Sequence, residues 1–288
     1  MIIQKFYDRS WKILMLVTIV FLFFSLSVIV SNIITTGSFM KRDIDLSGGK
    51  MITVEVGDID LTSVKSAFPY ANIRLTSGLT KSLLIEIPFE QDENAVIEKL
   101  PSVIEVKGIP SVRIVGPALG DIFFQQAQLS LIAAFILMAI AVFILFRSFV
   151  PSSIVLLAAI TDITGTIAII SIMGVPLSLP VLAALLTLIG YSVDTDILLT
   201  SELLKSGRHN YSESVKKAVK TGLTMTLTTL AALSAMYLAS GAFVIEQIAM
   251  VLIIGLIIDM PATWLTNAGV MRWWLERKLK KHEIGVNP

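Results

Sequence analysis

Six long apolar runs, interrupted by one polar stretch, set the plan of this chain: residues 12–35, 125–146, 152–173, 178–203, 220–240 and 243–271. Each is long enough to cross a bilayer, because about 20 helical residues at ~1.5 Å each span the ~30 Å of hydrocarbon. Between the first and second runs the pattern changes to short alternating apolar segments bounded by turn residues, the period expected of strands. There Lys50–Val56 reads as a strand and Asp60–Phe68 as a helix with Asp60 at its N-cap. Asn72–Leu75 and Leu83–Ile87 read as strands, Asp92–Leu100 as a second helix, and Val103–Val106 with Val112–Val115 as the closing strand region. The order β-α-β-β-α-β is that of a split βαβ, or ferredoxin-like, module. The predicted fold class is an α-helical polytopic membrane protein of six transmembrane helices with a small α+β ferredoxin-like extracytoplasmic domain. Its divisions are 1–36 (N-terminus and first span), 37–122 (external domain), 123–272 (five-helix bundle) and 273–288 (basic tail).

Composition agrees with this plan: 55% of the 288 residues are hydrophobic and 16% charged, with mean hydropathy +0.80, too apolar for a water-soluble domain. The net charge of +1 says little, but its distribution is informative. Nine of the 23 basic residues lie between Lys41 and Arg113, and the other fourteen flank the apolar runs. The short connections at Arg147 and 205–220 are basic, whereas 174–180 and 239–242 carry no Lys or Arg. The excess of basic residues on cytoplasmic loops then places both termini in the cytoplasm and 37–122 outside. The first run is too long for the apolar core of a signal peptide and is expected to remain as an anchor.

Against this background four carboxylates stand out. Asp162 lies about ten residues into the third run, Asp194 and Asp196 well inside the fourth, and Asp259 deep in the sixth just before Pro261. A carboxylate at the centre of a membrane helix costs roughly 2.5–3.5 kcal/mol on insertion scales, so such residues mark ion or proton paths or polar helix contacts. Residues two apart on a helix point ~200° away from each other, so Asp194 and Asp196 cannot both face one cavity. The spans contain no deep Lys, Arg or His to neutralise them. Either protons or a partner subunit must do so. Asp194, read as the deeper of its pair, is expected to be the principal proton carrier, with Asp196 next and Asp162 and Asp259 in support.

Other features suggest structural roles. Gly165 and Ala168 have spacing suited to close helix packing, and Thr221, Thr224 and Thr228 share a face of the fifth run, where helix contacts are the plainer reading. Asp45-Leu46-Ser47-Gly48-Gly49 and Gly116-Pro117-Ala118-Leu119-Gly120 read as hinge loops where the chain enters and leaves the external domain. That domain carries nine basic and twelve acidic residues, a net of −3, and no His. It reads as a binding or lever module, not an enzyme. There is no Cys, no metal-ligand cluster and no phosphate-binding loop, since Gly49-Lys50 is followed by Met51. No catalytic residue, metal or organic cofactor is expected. The sequon Asn210-Tyr211-Ser212 falls on the cytoplasmic side, and the 211–220 stretch reads as a short basic helix at the headgroups.

The stretches IDLSGGK at 44–50, IVGPALG at 114–120, TDITGTIAI at 161–169, LPVLAALLTLIGYSVDTD at 179–196 and LTTL at 227–230 resemble the SecD/SecF family of protein-export membrane proteins in the RND superfamily. The small external region is similar to the SecF branch, and the absence of Cys and the short tails to its archaeal members. The resemblance implies a SecD-like membrane subunit, the Sec channel, exported polypeptides and membrane lipids as partners, with no nucleic acid, and the proton-motive force as energy source. It also implies a carboxylate after GYS-x-N and an Arg before the Thr-rich segment of the fifth span. Here the carboxylates fall one residue to either side, at Asp194 and Asp196, and the Arg position is Thr221, with Lys220 beside it. The proton-relay candidates are therefore Asp194, Asp196, Asp162, Asp259, Thr221 and Lys220. Two other functions remain compatible with the sequence: an RND-type exporter of small molecules or lipids, and a purely structural assembly factor.

Overall fold

The structure, a computed structural model, describes residues 2–77, 81–206, 211–271 and 273–275. Helix α1 (Ile2–Thr36) leads through the short α2 (Ile44–Ser47) into the sheet domain: β1 (Gly49–Val56), α3 (Leu61–Ala67), β2 (Asn72–Ser77), β3 (Lys81–Ile87), α4 (Glu93–Lys99) and β4 (Val106–Val115). The bundle follows as α5 (Pro117–Phe146), α6 (Phe149–Ile172), α7 (Leu179–Ser206), α8 (Tyr211–Ala239) and α9 (Phe243–Pro261). Past Pro261 the last helix widens into a π-helical turn over Ala262–Asn267 and then runs on. Among the described residues six helices are long and apolar enough to span a membrane.

The sheet is antiparallel with strand order β2-β3-β1-β4. Asp60 and Asp92 cap α3 and α4, each accepting from the backbone N–H two residues on. The two helices close one sheet face around Ile52, Val54, Leu83, Ile85, Val64, Phe68 and Val96. The other face is also covered: Met51 and Leu84 pack with Ile44 of α2 and with Phe243 at the start of α9. This explains why β3 is buried on both sides from Leu83 to Ile87, apolar except for Glu86. The closing region is a single ten-residue strand, not two short segments. Its register shifts opposite Thr53 and Glu55, a bulge that no periodicity reveals.

In the bundle α6, α7 and α9 are the inner helices, and α1, α5 and α8 lie outside them. Small residues permit the close approaches: Gly165 of α6 faces Phe21 of α1 and Ile258 of α9, and Gly255 of α9 faces Leu188 of α7. The 211–220 stretch is not a separate surface helix but the first turns of α8, tied to α7 by the Lys217–Glu202 ion pair at 2.9 Å. Asn210 of the sequon and most of the basic tail lie outside the described residues.

Candidate functional site

The three inner helices each contribute one buried carboxylate to a common cluster. Asp162 from α6, Asp196 from α7 and Asp259 from α9 are all 0% exposed. Asp162 accepts a hydrogen bond from Ser192 Oγ of α7. Asp196 Oδ1 lies 2.8 Å from Thr263 Oγ1 and accepts from Asn267 Nδ2 at 2.7 Å. Thr263 Oγ1 is also 3.0 Å from Asp259 Oδ1, so one hydroxyl stands between two carboxyl groups on different helices. None of the ion pairs among the described residues includes any of the three acids.

This geometry has a chemical consequence. A threonine hydroxyl has one proton to donate. If it donates to one carboxylate, its contact with the second is a hydrogen bond only when that second carboxyl carries its own proton and donates it. Three bare carboxylates with no cation among the described residues around them would be uncompensated charges. Asp162 Oδ1, Asp196 Oδ2 and Asp259 Oδ2 are buried with no hydrogen-bond partner among the described atoms.

The sequence singled out all three residues, but ranked them differently. The expectation that Asp194 is the deeper group is corrected: it lies on the exposed face of α7, near Tyr191, which is 42% exposed, while Asp196 points inward. The ~200° separation holds, and it assigns the two faces the other way round. Lys220 and Thr221 lie on the exposed face of α8 and are not part of the cluster, nor are Thr224 and Thr228, whose hydroxyls bond back to their own helix.

Three polar members were not picked out from the sequence. Ser192 lies inside the GYSV segment, Thr263 one turn beyond Asp259, and Asn267 four residues before the end of the last apolar run. Thr263 was legible from its i+4 spacing from Asp259, whereas Asn267, near the end of the run, gave no comparable signal. Asn267 reaches Asp196 through a π-helical turn that follows Pro261, and such turns are frequent at functional sites.

The segments expected as hinge loops are instead largely helical, Ile44–Ser47 forming α2 and Pro117–Gly120 the first turn of α5, and they meet in a close-packed crossing. Gly48 (φ 76°) and Gly49 (φ 143°) take conformations that side chains rarely adopt. A Cβ on Gly48 would lie 2.5 Å from Pro117 Cα, and one on Gly120 would lie 2.5 Å from Gly48 N. Gly116, by contrast, faces open space. Beneath the crossing, Asp43 caps α2 and lies 3.5 Å from Arg74, which also pairs with Glu86. Asp45 lies 3.3 Å from Arg113, and burial pushes its carboxyl above the usual range although Arg113 pulls it back. The backbone of Lys41–Asp43 bonds to Leu177 in the α6–α7 connection.

These features define a multi-pass membrane protein with one α+β domain seated on a six-helix bundle that buries a cluster of acids at its centre. Residues 96–277, more than half the chain, match the family described as "Protein export membrane protein SecD/SecF, C-terminal". The chain is 39% identical over 258 residues to the protein-export membrane protein SecF of Pyrococcus furiosus, covering 87% of this chain and 86% of that one. With the protein of the same name from Methanocaldococcus jannaschii it shares 35% over 254 residues, covering 84% and 90%. The crystal structure of SecDF, a translocon-associated membrane protein from Thermus thermophilus, has the same fold, with TM-score 0.73 and 20% identity over 92% of this chain. This chain spans only 38% of that longer one. The chain belongs to the SecD/SecF family.

Proposed function

We propose that this chain is the SecF-type subunit of a Sec protein-export complex in the cytoplasmic membrane. It acts with a SecD-like membrane subunit beside the Sec channel to assist polypeptide translocation, using the proton-motive force and no catalytic chemistry of its own. Both termini are cytoplasmic and the sheet domain is outside, in keeping with the basic loops at the opposite end of the bundle. The observation that carries the coupling is the single hydroxyl of Thr263 between Asp196 and Asp259, an arrangement completed by a proton. The relatives' names support the export role, and this chain's match to about two fifths of a SecDF polypeptide supports a partner of similar architecture. The outward polar face of α7, with Thr187, Tyr191 and Asp194, suits a partner helix, since a carboxylate facing lipid is costly.

Export of a secretory reporter into membrane vesicles, with and without a protonophore, tests the reading. Asp196→Asn keeps the shape and the hydrogen bonds but cannot carry a proton. It is expected to abolish the protonophore-sensitive part of export and leave co-purification of the partner unchanged. Full gradient dependence in Asp196→Asn, Asp259→Asn and the double variant would reduce this chain to an assembly role.

A further inference from the structure

A slot of about 240 Å³ lies between α1, α6 and the last helix, at the end of the bundle away from the sheet domain. Ile19 and Leu22 of α1, Ile154 and Leu157 of α6, and Ala262 and Val270 of the last helix line its three sides. The polar residues of the wall offer it little: Thr161 donates its hydroxyl to the carbonyl of Leu157, and the side-chain oxygens of Thr266 and Asn267 are buried. The interior is therefore nearly all carbon. Phe149, Ser153 and Leu157 are exposed, so the slot is open along one side. At that depth of a membrane-spanning helix the surroundings are hydrocarbon, not water. The wall follows α6 from Phe149 to Thr161, ~18 Å along the axis, close to the ~15 Å depth of one leaflet.

The outer end of the slot has a different chemistry. Arg147 stands two residues before Phe149, exposed and in no ion pair among the described residues. In sequence Lys12 precedes Ile19 by seven residues of α1, two turns nearer the same end. Trp273 and Trp274 follow Val270 by about one turn and mark the headgroup level there.

From this juxtaposition we infer that the slot is a phospholipid site. One alkyl chain of a lipid in that leaflet fills it to the depth of Thr161, and the anionic headgroup meets Arg147 at the mouth. Water finds no polar partners inside, whereas a dry apolar cavity of ~150 Å³ already admits benzene. Left empty, the walls would forfeit their dispersion contacts. A helix, ~10–12 Å across with its side chains, is too wide to enter. Hydrocarbon gains no hydrophobic free energy in moving from the bilayer to the slot, so the headgroup supplies the selectivity. The chain lies against Ala262, where the widened turn begins, and props the helix that carries Asn267 to Asp196.

The site needs only that the bundle spans a membrane, and it stands or falls apart from any role in export. The chain has no cysteine, so a single introduced cysteine carries a probe without background. The full chain with Leu157→Cys, on the exposed rim of the slot, is labelled with bimane and reconstituted in phosphatidylcholine vesicles. Phosphatidylglycerol brominated along its chains is then added in increasing amounts. Leu129→Cys, on the exposed face of α5, reports lipid that merely surrounds the protein. Quenching at residue 157 is expected to saturate at low mole fraction, while at residue 129 it rises in proportion to the brominated lipid. Brominated phosphatidylcholine is expected to give the proportional response at both. Arg147→Gln is expected to raise the phosphatidylglycerol needed about fivefold, the share of one basic residue near a charged membrane surface. Ser153→Phe, which fills the outer slot from an exposed position, is expected to abolish saturation. A proportional response at residue 157 would mean surrounding lipid only and overturn the site. Saturation that brominated phosphatidylcholine matches, or that Arg147→Gln leaves unchanged, overturns the headgroup contact and with it the assignment to an anionic phospholipid.

Discussion

Asn267 and Asp196 lie 71 positions apart in sequence, yet their side chains meet at 2.7 Å in the centre of the bundle. The contact joins α7 to the widened turn of the last helix, and with Thr263 it gives Asp196 Oδ1 two donors. Asn267→Leu removes one of them and leaves the carboxyl less satisfied. A loss of about 1–3 kcal/mol in stability is expected, visible as a lower midpoint of thermal unfolding in mild detergent, while Asn267→Gln loses less if its longer amide still reaches.

Thr263 is expected to matter through its hydroxyl and not its volume. Thr263→Val retains the shape but removes the group between the two carboxyls, and is expected to diminish the protonophore-sensitive part of export severalfold. Thr263→Ser keeps the hydroxyl and is expected to restore most of it. Equal export by the Val and Ser variants would show that the bridge carries no proton traffic.

The crossing where the chain enters and leaves the sheet domain separates glycines that the sequence groups together. Gly48→Ala and Gly120→Ala each place a methyl group 2.5 Å from backbone atoms, with a cost of about 1–3 kcal/mol, as for overpacked sites generally. Gly116→Ala meets nothing within 4 Å and is expected to stay within about 0.5 kcal/mol of the parent. Thermal unfolding of the full chain in detergent checks the order.

Asp45 gives a pH dependence of known sign. Its folded-state pKa is raised, with burial the larger cause and Arg113 opposing it. The folded state therefore binds its proton more readily than the unfolded chain. The corresponding stability is present below the unfolded value of about 4 and is lost as pH rises through the folded value. Relative to the parent, Asp45→Asn is expected to gain stability as pH rises above about 4. A difference that stays constant, or moves the other way, would show that the pair with Arg113 outweighs burial.

Topology is checked with the same cysteine-free background. Ser102→Cys, in the sheet domain, is expected to react with an impermeant maleimide added outside intact cells, and Glu213→Cys, near the start of α8, only after the membrane is opened. External labelling at 213 would invert the proposed orientation.

Much of this was legible in the sequence, because the strongest signals were local ones. The six apolar runs gave the spans, and the alternation in 37–122 gave the order of strands and helices; Asp162, Asp196 and Asp259 announced themselves by their depth. What was not legible depended on rotation and on long-range contact. Whether Asp194 or Asp196 faces inward is a question of helix phase, and the polar residues Tyr191, Ser192, Asp194, Thr195 and Asp196 occur on every side of that stretch of α7, so no apolar stripe fixes it. The pairing of Arg74 with Asp43 and Glu86, and the meeting of Gly48 with Gly120, join segments that only the completed fold brings together.

The widened turn at Ala262–Asn267 has a genetic consequence. A π-helical turn holds an extra residue compared with the α-helix around it. Were the same residues to close into a regular α-helix, everything after the turn would rotate by ~100° relative to what precedes it. Asn267 would then swing away from Asp196 while Asp259, upstream, stayed in place. The widened turn thus absorbs one residue and keeps the two on neighbouring faces. A relative one residue shorter here reaches the same faces with an unbroken α-helix, so the extra residue and the widened turn are expected to occur together or not at all.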